Sequence, residues 1–226
     1  EPTRFRSRNT NVWFIEVHHC FQNVKNINHN TEYPDSIYKS ASPDEESLVI
    51  AAKNFGYTFK ERNSKKMWIE KFGSVFEYQI LATIDFSSER QRMSVLVKEN
   101  FGNENVILIT KGSDVKIYEN LKEENNDNDD NREKIDNNIK KFSNQGYRIL
   151  CFSYKILDQA WIDQYLPTWL SDWKNACSSM GIEREIKITD LAADLETDYH
   201  LIGASAIEDQ LQDEVPETST NLRKHN

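Results

Sequence analysis

Five strand-like runs follow one another at short intervals: Tyr57–Lys60, Met67–Phe72, Val75–Ile84, Met93–Lys98 and Val106–Thr110. Turn-forming residues separate them at Asn63-Ser64, Gly73-Ser74 and Phe101-Gly102-Asn103. Parallel neighbours need a crossover of a dozen or more residues, and these gaps are too short for one. The spacing therefore predicts antiparallel hairpins. Helical stretches surround this block. Ser42, Pro43 and Glu45 have the spacing of a capping box, opening a helix that carries Leu48, Val49, Ala52 and Phe55 and stops at Gly56. A short helix is expected from Val115 to Leu121, another through Ile135, Ile139 and Phe142, and two long ones at about 158–178 and 182–197. Strands are expected at Arg148–Ile156 and Tyr199–Ile207. The expected fold class is α/β (α+β), a twisted, mainly antiparallel sheet flanked by helices.

At 226 residues the chain can bury roughly 70% of its unfolded surface. Aromatic residues make up 11% of it, enough for a packed core despite a mean hydropathy of -0.74. Trp161, Tyr165, Trp169 and Trp173 recur every fourth residue and read as core packing. The net charge of -9 argues against a nucleic-acid surface, which needs a basic face. Cys20, Cys151 and Cys177 are odd in number and far apart, so a reducing compartment is expected, with neither disulfide framework nor zinc site. His18-His19 has no third ligand at metal-like spacing. No apolar run reaches the ~18 residues that span a bilayer. With Glu1-Pro2 in place of an initiator Met and no apolar leader, the chain is expected to be a piece of a larger protein.

Residues 1–40 read as a lead-in with a short helix near 12–24, and 41–207 as the main domain. Within it, 122–132 is acidic, Asn-rich and expected to be a disordered loop. Residues 208–226 read as a polar hinge.

No two of the 7 glycines lie within five residues of one another, which excludes the Rossmann fingerprint, the P-loop and the G-x-S-x-G elbow. Four residues still offer ligand chemistry. Phe86 ends a strand where an exposed ring could stack on a base. Lys111 ends an apolar strand and precedes Gly112, whose missing Cβ would let a ligand approach the backbone. Arg148 carries a fork that suits phosphate oxygens. Glu45 could accept hydrogen bonds from a ligand, but the capping box claims the same carboxylate, and the residues alone favour the box. Each also reads as ordinary structure: Phe86 turned inward, Lys111 before a turn, Arg148 in a salt bridge. Arg90 and Arg92 flank Gln91 and on a strand would share one solvated face.

Ser42-Pro43-Asp44-Glu45 with Leu48-Val49 and Ala51-Ala52 resembles the S-P-D-E-x-A-L-V-x-A-A motif of type IV P-type ATPases, the phospholipid flippases. Phe86-Ser87-Ser88 with Arg90, Arg92, Met93, Ser94 and Val95 resembles F-S-S-x-R-K-R-M-S-V. Lys111-Gly112-Ser113-Asp114 resembles K-G-A-D, and Gly146-Tyr147-Arg148-Ile149-Leu150-Cys151 resembles G-L-R-T-L-C. Leu201-Ile202-Gly203-Ala204 through Val215-Pro216-Glu217-Thr218 resembles L-L-G-A-T-A-I-E-D-x-L-Q-D-x-V-P-E-T. The matches run in family order across about 41–218 and fade before residue 40.

The resemblance implies the nucleotide-binding domain of such a pump. It implies ATP bound by Glu45, Phe86, Lys111 and Arg148, with Ser88, Gly112 and Ser113 beside them, and it turns Glu45 from cap to ligand. Gln91 stands where the family has Lys, Gln210 where it has Lys or Arg, and Ser113 where it has Ala. Tyr147 and Ile149 replace Leu and Thr. The first two lower the positive charge, Gln91 beside the pocket. D-K-T-G-T, T-G-D and G-D-G-x-N-D are absent from this chain. The resemblance therefore implies that the fragment binds ATP without turnover and presents it to an Asp in a separate phosphorylation domain, which would hold most of the Mg²⁺. It further implies a cytosolic domain of a multi-pass membrane protein, with an accessory membrane subunit as a possible partner. A rival from another class is the regulatory flippase-like region of a protist guanylyl cyclase fusion, with weak or lost ATP binding. D-K-T-G-T upstream and no cyclase domain downstream would separate the two. A ligand-free protein-interaction domain is the third reading.

Overall fold

The computed structural model describes residues 25–26, 38–40, 42–122 and 129–208. The helix expected near 12–24, His18-His19 and the hinge after Glu208 lie outside the described residues. Strands β1 (Lys25–Asn26) and β2 (Tyr38–Lys39) form a small antiparallel pair. The main sheet contains β3 (Tyr57–Arg62), β4 (Lys66–Lys71), β5 (Ser74–Ser87), β6 (Arg92–Glu99), β7 (Val106–Gly112), β8 (Arg148–Ile156) and β9 (His200–Ile207). Its seven strands stand side by side in chain order, every pair antiparallel; the short gaps predict this for β3 to β7, while β8 and β9 join across long helical connections. Five helices accompany it among the described residues: α1 (Pro43–Asn54), α2 (Asp114–Tyr118), α3 (Asp129–Asn144), α4 (Gln159–Ser178) and α5 (Gly181–Leu195).

Local chemistry fixes the turns. Asn63 Oδ1 accepts from the N–H groups of Lys65 and Lys66, both at 2.8 Å, and closes β3 onto β4. The next turn sits one residue earlier than its sequence suggests. Lys71 pairs with Ser74, so Phe72 and Gly73 are the two central residues, at φ 48° and 85°. Both angles are positive, as in the type I′ turns that match the twist of a hairpin. A phenylalanine rarely occupies that region. Here its ring packs edge-on against Tyr57, centroids 5.3 Å apart, and lies over Gly56, the residue that ends α1.

The sheet is covered on both faces. On one side Val95, Val97, Ile107, Ile109 and Phe152 pack with Leu48 and Val49 of α1. On the other, Ile84, Leu96 and Leu108 pack with Leu166, Trp169 and Trp173 of α4 and with Leu195. Every residue of β7 is buried, as expected of a central strand covered twice. Trp169 and Trp173 stack 5.4 Å apart, and Trp169 Nε1 donates to the Leu191 carbonyl at 3.0 Å. Tyr165, expected in the same core stripe, is half exposed.

Helix α3 begins at Asp129, inside the span expected to be a disordered loop. Its Ile139 packs with Ile117 and Cys151 in a third cluster over β8. Cys151 is buried, and that burial pushes its thiol up to about 12. Cys177 is exposed on α4. The thiolate is the reactive species. Native alkylation at mildly alkaline pH is therefore expected to label Cys177 and spare Cys151, with Cys151 reacting after denaturation. Peptide mapping by mass spectrometry measures this, and equal native rates at the two thiols would contradict the buried placement.

Candidate functional site

At one end of the sheet, three elements meet where the sequence motifs predict. The first is the start of α1. Ser42 has the extended backbone of an N-cap, but its hydroxyl makes no capping bond, and its N–H donates to Ser40 Oγ at 3.2 Å. The expected capping box does not form. Instead Glu45 points across to β7, where Lys111 Nζ donates to its Oε1 at 2.8 Å. Ser40 Oγ donates to Oε2 at a long 3.4 Å. Burial of Lys111 outweighs the attraction of Glu45 and Asp44 and holds its ammonium below the ordinary lysine value.

The second element is the long strand β5. Its pairing with β6 slips between Ile84 and Ser87, a bulge that re-aims the intervening side chains. Phe86 lies in this bulge with 61% of its surface exposed, so the outward reading of the ring holds. The third is the start of β8, where Arg148 Nη1 donates to Asp44 Oδ2. Arg148 is thus both the cleft residue and the salt-bridge residue of its two sequence readings.

Between β5, β7 and β8 is a cleft of about 330 Å³, at the small end for small-molecule sites, and Glu45 reaches it through Lys111 rather than lining it. Phe86, Met93, Ile149 and Leu150 make its apolar surface, and Lys111 and Arg148 bring the positive charge. Gln91 and Ser113 line it too, and Ser113 Oγ donates to Gln91 Oε1 at 3.3 Å. Ser113 Oγ also accepts from the Lys116 N–H, so it caps α2. Gly112 reaches the cleft wall, but its missing side chain serves the sheet. A Cβ there would lie 2.5 Å from Arg92 Cβ and 2.7 Å from the Gln91 carbonyl oxygen. Ser88 sits in the exposed turn after β5 and does not line the cleft. A second, more polar cleft near Gln145–Tyr147 and Glu208 brings an acid and no cation. No cluster of three or more acidic, His or Cys groups suited to a metal occurs among the described residues.

The arginines depart most from the sequence reading. Arg90 is in the turn, not on a strand, and is 7% exposed. Its Nε and Nη2 donate to the two carboxylate oxygens of Glu196, at 3.3 and 2.6 Å. Arg92 Nε donates to Oε2 at 2.7 Å, and Ser94 Oγ to Oε1 at 2.5 Å. A hydroxyl chain continues from Ser94 to Thr110 and Tyr199. The outer edge of the Arg90 guanidinium donates to the Asp85 carbonyl at 2.9 Å, and the Arg90 N–H to Ser87 Oγ at 3.2 Å. The end of β5, which carries Phe86, and the turn after it are therefore wrapped around a guanidinium whose counter-charge lies at the end of α5. An Arg-x-Arg calls for an acid, but the chain has 37 acidic residues and nothing local singles out Glu196. Asp44, Ile149 and Leu150 stand inside matched motifs, yet their side chains carried no site role in the sequence reading.

Residues 15–214 match the family model for the P-type ATPase cytoplasmic domain N. This chain belongs to that family. The N domain is 37% identical over 186 residues to the human "Probable phospholipid-transporting ATPase IM", covering 82% of this chain and 15% of that protein. It is 36% identical over 187 residues to human "Phospholipid-transporting ATPase IC", covering 83% and 14%. It is 37% identical over 190 residues to "Phospholipid-transporting ATPase 2" of Arabidopsis thaliana, covering 84% and 16%. The N domain thus spans about one-seventh of the length of these relatives. The family match starts well before residue 41, where the motif resemblance begins. Among the described residues no helix is long and apolar enough to cross a membrane.

Proposed function

We propose that this N domain binds ATP in the cleft beside Phe86 and presents it to a phosphorylatable aspartate on another domain of a phospholipid-transporting ATPase. One observation carries the reading: the exposed Phe86 ring and the Lys111 ammonium, which Glu45 holds from behind the lining, flank one apolar-floored cleft. Adenine stacks on Phe86 and against Met93 and Leu150. Glu45 accepts the exocyclic amine. An ionised carboxylate has about four lone-pair sites, so it can hold Lys111 and the amine together. Lys111 and Arg148 face the ring and the phosphates, with Gly112 and Ser113 forming the adjoining wall. Ser88, outside the cleft, makes no direct contact.

The domain by itself does not turn ATP over. In the whole protein, a multi-pass membrane pump with an accessory membrane subunit as a further partner, the γ-phosphate is delivered in line to the remote Asp. Most of the Mg²⁺ coordination would lie there, and catalysis would be mostly positioning and charge neutralisation.

Calorimetric titration with ATP, with and without Mg²⁺, beside Phe86→Ala tests this. Saturable binding is expected, and the variant should bind more weakly by roughly 1–3 kcal/mol, the range for base stacking on an aromatic ring. That is about 5- to 150-fold. A folded sample that binds no ATP up to several millimolar would overturn the reading and favour the regulatory one, a flippase-like region of a guanylyl cyclase fusion.

A further inference from the structure

Two successive carboxylates in the first turn of α1 hold the two cationic side chains of the cleft. Glu45 holds Lys111, and both are largely buried, at 16% and 9% exposed. Asp44 holds Arg148, and this pair is open to solvent, at 28% and 52%. The two contacts differ in what a ligand must do. Glu45 can keep Lys111 and still accept from a base. The Arg148 fork faces Asp44 through the same kind of donor that a phosphate oxygen would use.

We infer that Asp44 stands in for a nucleotide phosphate on Arg148, so that ATP and Asp44 compete for that guanidinium. The inference rests on the ATP reading above and adds a determinant of affinity that acts chiefly at the phosphate end. Asp44 opposes the nucleotide in two ways with the same sign. It occupies Arg148 until displaced, and its charge repels the polyphosphate. The exposure of the pair keeps the exchange shallow, since surface ion pairs contribute little. A deeply buried pair would block the site.

NMR titration of wild type, Asp44→Asn, Arg148→Gln and the double variant, with ATP and with adenosine at fixed ionic strength, tests this. Asp44→Asn keeps the side chain's size and removes its charge. It is expected to bind ATP about two- to five-fold more tightly, the span of a surface ion pair. Adenosine affinity should stay unchanged, and the gain should shrink in the Arg148→Gln background. Weaker ATP binding by Asp44→Asn would overturn the proposal, because Asp44 would then be orienting Arg148 for the phosphate. Equal shifts for ATP and adenosine would also overturn it, placing the effect at Glu45 and the base. Loss of all ATP binding in folded wild type and Asp44→Asn alike would overturn the ATP reading with it. Adenosine binding without any ATP preference would overturn the phosphate competition alone.

Discussion

Glu196→Ala is expected to lower the stability of the domain by about 3–5 kcal/mol, the cost of removing one partner from a buried ion pair. The substitution leaves the guanidinium groups of Arg90 and Arg92, 7% and 13% exposed, without their carboxylate. It also strips Ser94 Oγ of its acceptor. Water cannot readily replace these bonds on the covered face of the sheet, where Leu195 and Tyr199 are 1% exposed. Urea denaturation measures the effect as a lower midpoint with an unchanged slope. Lys155→Ala provides the contrast. Its pair with Asp198 is long, at 3.9 Å, and Asp198 is exposed, so the loss should be below about 1 kcal/mol. A Glu196→Ala loss as small as that of Lys155→Ala would show that the clamp is not closed in solution.

Gly112→Ala is expected to cost roughly 1–3 kcal/mol, as overpacking does, and near the upper end of that range. The atoms that a new methyl meets belong to backbone or to a Cβ: Arg92 Cβ at 2.5 Å, the Gln91 carbonyl oxygen at 2.7 Å and Arg92 Cα at 2.9 Å. None is the tip of a flexible side chain that could swing away. The two strands must part at the Arg92–Gly112 pair, which also bears the Arg92 bond to Glu196 and the Ser113 N–H bond to the Gln91 carbonyl. A fall in melting temperature together with weaker ATP binding is the expected pattern. Wild-type stability would refute the close approach of these strands.

The meander was legible because its information is local. Asn63 and the Phe101–Asn103 loop lie between apolar runs, and antiparallel pairing of neighbours is what remains when no crossover fits. The turn at Phe72-Gly73 was misplaced because a hairpin turn wants positive φ, and a phenylalanine does not advertise it. The candidate site was proposed from the sequence only through its motifs. Taken singly, Glu45 fits a capping box as well as it fits a ligand, and only the three-dimensional position of Lys111 decides where its carboxylate goes. Gly112 was singled out for ligand approach, and the structure adds that a Cβ there would meet the neighbouring strand. Arg90 and Arg92 were read as solvated because their partner is far off in sequence, where periodicity and spacing carry no information.

That separation has a kinetic consequence. Pairing from β3 to β7 joins strands separated only by short turns, and such local contacts are cheap in loop entropy. The bond from Arg90 to Glu196 spans 106 residues and needs the end of α5 in place. It is expected to close late, after the central strands have paired. Weakening such a contact accelerates unfolding and leaves the folding rate nearly unchanged. The clamp beside Phe86 is then expected to govern how long the folded domain survives rather than how fast it is built.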